Sequence, residues 1–165
     1  MRPQALLDFC SWIEHTALSQ IIQATPWIVP TVQTIHILAI AAVLSSALMI
    51  DLRLLGVSGN DLPLARVSAR FRPLIWWTLP ILLASGTIMI IGEPARSLAN
   101  FAFQLKMLLL TGAIAVTLVF QRPLNRDTGF WDAPGNRRRA AKMLAILSLL
   151  LWTGIVFAGR WIAYT

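Results

Sequence analysis

The chain has 165 residues, of which 57% are hydrophobic and only 13% are charged. Soluble domains carry about 25% charged residues, so this composition excludes a disordered chain, a coiled coil and most soluble enzymes. The net charge is +7. Because long apolar runs separate the basic residues, we assign the excess to loops beside anionic lipid headgroups and expect no nucleic-acid partner.

The N-terminal segment, about residues 6–22, predicts an amphipathic surface helix. Apolar residues recur there at spacings of three and four, and acidic and hydroxyl side chains fall between them. The segment is too polar to cross a bilayer, so we expect it to lie on the membrane surface with Trp12 at headgroup level. Cys10 is the only cysteine, and we interpret it as a small apolar residue.

Four apolar runs follow, and each has a length suited to crossing a membrane. A helix crosses the bilayer core with about 20 apolar residues. The predicted spans cover about residues 27–50, 74–91, 103–120 and 141–164. With short connections between them, they predict an all-α, antiparallel four-helix bundle that forms a single membrane domain over residues 1–165.

Lysine and arginine are divided unequally between the two sides of this bundle. The loops after spans one and three, with the adjoining helix ends, hold ten of them, and the opposite side holds four. Cytoplasmic loops carry the excess of basic residues in membrane proteins. We therefore expect a multi-pass protein of the bacterial inner membrane, with both termini in the periplasm and anionic lipid beside the basic cytoplasmic loops.

His36 is the most informative residue of the spans. It lies about 13 Å below Trp27 by helical rise, and ionisable groups at such depth are rare and often functional. Gln33 lies one turn before it, and both belong to a helical stripe with Val43 and Ala47 that is expected to face the bundle interior. The ring has three open interpretations: a ligand of haem iron or another metal, a contact for a proton or a substrate, or a neutral ring hydrogen-bonded to Gln33 or to another helix.

A haem usually has a second axial ligand, and the chain offers two candidates. His15 is the only other histidine, but it belongs to the surface helix, about 13 Å away in depth. Met107 in span three has a compatible depth, and His/Met ligation occurs in cytochromes. Ordinary core packing is the alternative interpretation of Met107.

Three charged residues, Glu93, Lys106 and Arg160, fall at the same ends of spans two, three and four. Together they are candidates to hold an anionic group, such as a haem propionate, a quinone-like headgroup or a carboxylate. The alternative is an interfacial ion-pair network, or basic side chains that reach out to water. At the other end of span one, Asp51 and Arg53 are expected to lock the helix end to the next loop.

Motifs of known enzymes are absent from the sequence, including zinc, phosphate-loop and serine-hydrolase signatures. We therefore expect a protein without catalytic activity. Two functions stay open. The first is a redox or electron-transfer module that binds haem b through His36. The second is a cofactor-free membrane protein that binds a small molecule, a partner subunit or a second copy of itself.

Five segments resemble an uncharacterised bacterial family of four-span membrane proteins, a domain of unknown function. They are Trp27–Pro30, Gln33–Ala39, Asp51–Gly56, Leu105–Met107 and Ala158–Tyr164. The resemblance covers nearly the whole chain and implies four helices in the inner membrane, with no established activity. A looser similarity to copper-resistance membrane domains and b-type cytochrome bundles is an analogy of fold.

This chain departs from the family pattern at two places. Members of the family often carry glutamate where this chain has Gln33. They often carry histidine near the end of span three, where this chain has Phe120 and Gln121. Both departures argue against a site with two histidines in this chain.

Overall fold

The structure is a computed structural model that describes residues 4–58, 61–127, 129–131 and 135–162. Within these ranges the chain is helical and contains no strand. The helices are α1 Gln4–Glu14, α2 Ala17–Ala24, α3 Ile28–Leu55, α4 Leu64–Gly92, α5 Pro94–Leu98, α6 Phe101–Arg126 and α7 Asn136–Trp161. The predicted all-α class is confirmed.

Four of these helices, α3, α4, α6 and α7, are long and apolar enough to cross a membrane. Helix α4 packs along α3, α3 along α7, and α7 along α6. The backbones of α4 and α6 stay farther apart. We call the end where α3 begins and α7 ends the upper end, and the opposite end the lower end. Many large apolar side chains on these helices are exposed, such as Leu83, Leu108 and Phe157, as lipid contact requires.

The long helices continue beyond the predicted spans at the lower end. Helix α3 is capped by Gly56, whose left-handed backbone (φ 79°) allows its N–H to bond the Arg53 carbonyl. Helix α4 begins after Pro63, and α6 extends to Arg126. Apolar composition marks only the part of a helix that lies in the bilayer, so it underestimated these lengths. Tyr164, the predicted end of span four, lies outside the described residues.

The N-terminal segment forms two surface helices where the sequence predicted one. The helical conformation is interrupted at Thr16. The Thr16 side chain caps α2 by accepting a hydrogen bond from the Ser19 N–H (3.4 Å). Helix α1 packs against α5, and α2 packs against α4. Ser19 Oγ donates to the Ile91 carbonyl (2.7 Å), and Gln23 Nε2 donates to the Gly92 carbonyl (2.9 Å). Both helices are therefore held against the upper end of the bundle.

The interior consists of two apolar clusters along the bundle. The upper one is built from Val43, Ala47, Ala113, Trp152 and Ile155. The lower one includes Ile50, Leu54, Leu64, Ile75, Phe120, Leu124, Trp131, Ala141 and Ala145. Small residues allow α6 and α7 to approach closely, because a Cβ atom on Gly154 would lie only 3.1 Å from Leu109 Cδ1.

Candidate functional site

His36 lies half-buried on α3 and faces α4. Its Nδ1 atom is 2.7 Å from Oγ of Ser85, which is a buried residue of α4. The ring also lies beside Gly86, since a Cβ atom there would be 3.6 Å from His36 Cε1. The hydrogen bond to another helix, one of the alternatives left open by the sequence, is therefore present.

The hydrogen bonds of Ser85 determine which nitrogen of His36 carries the proton. Ser85 Oγ is 2.6 Å from the Ile81 carbonyl oxygen, which can only accept a hydrogen bond. The single hydroxyl proton of Ser85 is thus donated to Ile81. His36 Nδ1–H then donates to Ser85 Oγ, and Nε2 of the neutral ring retains its lone pair.

Lys106 approaches the same region from α6. Its ammonium group lies close enough to act electrostatically on the His36 ring. A Cβ atom on Gly159 of α7 would lie 3.9 Å from Cδ, Cε and Nζ of Lys106, so the lysine stem runs along this glycine. Among the residues that the structure describes, Lys106 Nζ has no hydrogen bond or ion pair. We call His36, Ser85 and Lys106 the upper site.

The other two charges of the predicted cluster take different positions. Glu93 is exposed, pairs with Arg96 (2.9 Å) and lines a separate groove between the surface helices and α5. Arg160 is exposed and follows Gly159 directly. The upper site therefore contains His36 and Lys106. Arg160 is adjacent in sequence to Gly159, which lies beside the Lys106 side chain. Glu93 does not join them, because it pairs with Arg96.

Three further candidate residues from the sequence form no hydrogen bond with His36 or Ser85 among the described residues. Gln33 is exposed, and Ser85 takes the place that Gln33 was considered for. Met107 is 42% exposed and follows Lys106 by one residue, so it lies on a different face of α6. His15 is exposed, and its Nδ1 contacts the Ser11 carbonyl of its own helix (2.6 Å). In the described part of the chain, no three His, Cys, Asp or Glu residues form a metal-binding group.

The expected pair of Asp51 and Arg53 does not form. Asp51 is buried, 5% exposed, and Ser148 of α7 hydrogen-bonds its carboxyl group. Arg53 Nε instead donates to the Leu62 carbonyl (2.8 Å). Residues two apart on a helix point in nearly opposite directions, so only Arg53 reaches the loop. The loop is held as expected, but by the arginine without the aspartate.

Sequence reasoning missed two partner residues, Ser85 and Ser148. Ser85 could have been predicted as a partner of His36 by comparing the depths of the two residues in their helices. Ser85 lies about 11 Å from the upper end of α4 and His36 about 12 Å from the upper end of α3, so the two polar residues are level. The same comparison does not reveal Ser148 as the partner of Asp51. Helix α7 extends well beyond the apolar core at its lower end, so the two residues lie at different distances from the lower ends of their helices.

Comparison of the sequence with known protein families identifies the family of this chain. A family model matches residues 9–165, nearly the whole chain. The chain belongs to DUF6644, a family of unknown function. The predicted membership of an uncharacterised family is confirmed, whereas the looser similarity to copper-resistance and cytochrome domains gains no support. Neither the curated proteins nor the solved structures contain a match.

Proposed function

We propose that this DUF6644 protein binds the polar headgroup of an anionic amphiphile at the upper site. The observation that carries the proposal is the placement of two unused groups, the Nε2 lone pair of His36 and the Lys106 ammonium, at the same end of the bundle and within electrostatic range of each other. Half-buried charges inside a bundle normally have a partner. With basic residues concentrated at the lower end, the upper site belongs near the periplasmic face.

The two groups define the chemistry of the ligand. Lys106 attracts a carboxylate or another anionic oxygen, and His36 Nε2 accepts a hydrogen bond from a hydroxyl group. A hydroxy acid offers both kinds of oxygen, whereas a quinol-like headgroup offers hydroxyl groups, of which one donates to His36 and the other accepts from Lys106 as a neutral oxygen. The apolar tail of the ligand would enter between α4 and α6, because the backbones of these two helices are farther apart than those of the other neighbours.

The proposal is tested by ligand-dependent thermal stability of the detergent-purified protein. We expect a long-chain hydroxy fatty acid or a quinol analogue to raise the melting temperature, since a ligand that binds only the folded state stabilises it. Lys106→Gln should weaken binding at least about tenfold, because hydrogen bonds to charged groups contribute about 1.5–3 kcal/mol. His36→Ala removes a neutral hydrogen bond, which contributes about 0.5–1.5 kcal/mol, and should weaken binding about two- to tenfold. Lys142→Gln, which changes an exposed lysine at the lower end, should leave binding unchanged. No stabilisation by either probe would contradict the proposal.

A second candidate is haem b with His36 as an axial ligand. It is favoured by the Ser85 contact, because metal-bound histidines usually donate their other ring N–H to a neighbouring acceptor. Lys106 would then face a propionate group. An absorption spectrum of oxidised and reduced protein separates the two candidates. A Soret band that disappears in His36→Ala supports haem, whereas a featureless spectrum from cells with ample haem eliminates it.

A further inference from the structure

A small cavity lies in the lower half of the bundle, where all four long helices contribute to its wall. It offers about 30 Å³ of space to water-sized molecules, and one water needs about 10–15 Å³ of such space. Its polar lining consists of Asp51 from α3, Thr117 and Gln121 from α6, and Ser148 from α7. The rest of the lining is apolar. We call these residues the lower cavity.

Asp51 gives this cavity an unbalanced polar group. The Oδ2 atom of Asp51 is buried and has no hydrogen-bond partner within the described ranges. No lysine or arginine of those ranges forms an ion pair with this carboxylate. Burial of an isolated carboxylate is very unfavourable, and buried polar atoms without a partner are rare in native proteins. Asp51 therefore requires protonation, a counter-charge or a hydrogen-bonding occupant.

The neighbouring hydroxyl groups present lone pairs to such an occupant. Thr117 Oγ1 donates its only proton to the Ala113 carbonyl (2.8 Å). The Ser148 hydroxyl donates its proton to Asp51. Trp76 Nε1 donates to Gln121 Oε1 (3.2 Å), which fixes the orientation of the amide. Asp51, Thr117 and Ser148 thus line the cavity with oxygen atoms that have lone pairs left to accept.

We propose that the lower cavity binds one small monovalent cation, with Na⁺ as the ion that matches its chemistry. Hard cations take oxygen ligands, and the ligands here would be Asp51 Oδ2 with the Thr117 and Ser148 hydroxyl oxygens. One carboxylate balances one positive charge, whereas divalent ions are usually held by several carboxylates. The proposal uses none of the residues of the upper site and does not depend on the ligand that binds there.

Sodium binding is testable on the purified full-length protein in detergent. Sodium chloride replaces choline chloride at constant ionic strength, while the melting temperature and the amount of bound ²²Na⁺ are measured. We expect a saturable rise in melting temperature and about one bound ion per chain. Asp51→Asn should abolish both effects, and Thr117→Val, which retains the side-chain shape, should lower Na⁺ affinity about tenfold. Asp61→Asn, at an exposed carboxylate of the same end, should change neither.

Measurements on the wild-type protein can contradict the sodium proposal. If the wild-type protein melts at the same temperature in Na⁺ and choline and binds no ²²Na⁺, the proposal is wrong. An infrared band of a protonated carboxyl group that disappears in Asp51→Asn would then show that Asp51 is neutral and is not balanced by a cation. Should Asp51→Asn fail to fold, the wild-type measurements and Thr117→Val decide the question.

Discussion

Replacement of Ser85 by alanine removes the acceptor of the His36 Nδ1–H. The Ser85 hydroxyl makes two short hydrogen bonds, to His36 (2.7 Å) and to the Ile81 carbonyl (2.6 Å). The carbonyl keeps its main-chain partner within α4, so the loss falls on the histidine. A buried donor without an acceptor costs about 1–3 kcal/mol, and the higher helix propensity of alanine offsets about 0.5 kcal/mol of this. We expect Ser85→Ala to lower the free energy of unfolding by about 1–2 kcal/mol.

Thr87→Ala is the matched control for this substitution. Thr87 lies on the same helix, and its hydroxyl also donates to the carbonyl four residues earlier (2.8 Å). It is exposed, and among the described residues its hydroxyl has no hydrogen bond to another helix. Surface substitutions of this kind change stability by about 0.5 kcal/mol or less. Equilibrium unfolding in mixed detergent micelles with increasing dodecyl sulfate measures both variants against the wild-type protein.

Nitrogen NMR of the histidine rings tests the reasoning independently of stability. In the wild-type protein, His36 Nδ1 should carry the proton and Nε2 should have the shift of an unprotonated ring nitrogen. A His15→Ala background leaves His36 as the only histidine. The assigned tautomer is refuted if Nδ1 lacks the proton, or if Ser85→Ala is as stable as Thr87→Ala.

Three further predictions concern stability and reactivity. Gly154→Ala, whose Cβ atom would approach an α6 side chain to 3.1 Å, should lower the melting temperature more than Gly86→Ala, where the nearest atom is at 3.6 Å. Asn100→Ala should cost about 1 kcal/mol in dodecyl sulfate unfolding, because its side chain caps α6. Burial raises the pKa of the Cys10 thiol above its ordinary value of 9.0, so maleimide labelling should be slow near pH 8, accelerate as the pH rises past 9, and become fast on unfolding.

The four long helices could be predicted because the bilayer imposes a length on them. About 20 consecutive apolar residues are needed for each crossing, and such runs are visible in composition alone. The interior face of α3 was also predictable in its deeper part, where Val43 and Ala47 are buried as the helical stripe indicated. The stripe was unreliable at Gln33, which is exposed. Near a helix end, fewer neighbouring helices surround each residue, so periodicity constrains burial less.

The partners of the polar residues were harder to predict, because they depend on how helices rotate about their axes. Helical rise places His36 and Ser85 at equal depth, but only the packing of α4 on α3 turns the serine toward the ring. The absence of a pair between Asp51 and Arg53 could have been predicted, because a separation of two residues places side chains on nearly opposite faces of a helix. Asp51 instead meets Ser148, which is distant in sequence and close only in the folded bundle.

The two proposed sites share α3 but are separated along it. His36 and Asp51 are fifteen positions apart, which corresponds to about 22 Å of helical rise. Coupling over such a distance requires an element with two alternative arrangements, and α3 is one continuous helix between these residues. Substitutions at sites so far apart are therefore expected to be additive within about 0.5 kcal/mol. A double variant, His36→Ala with Asp51→Asn, measures this additivity, and a larger deviation would indicate that an ion in the lower cavity changes the ligand affinity of the upper site.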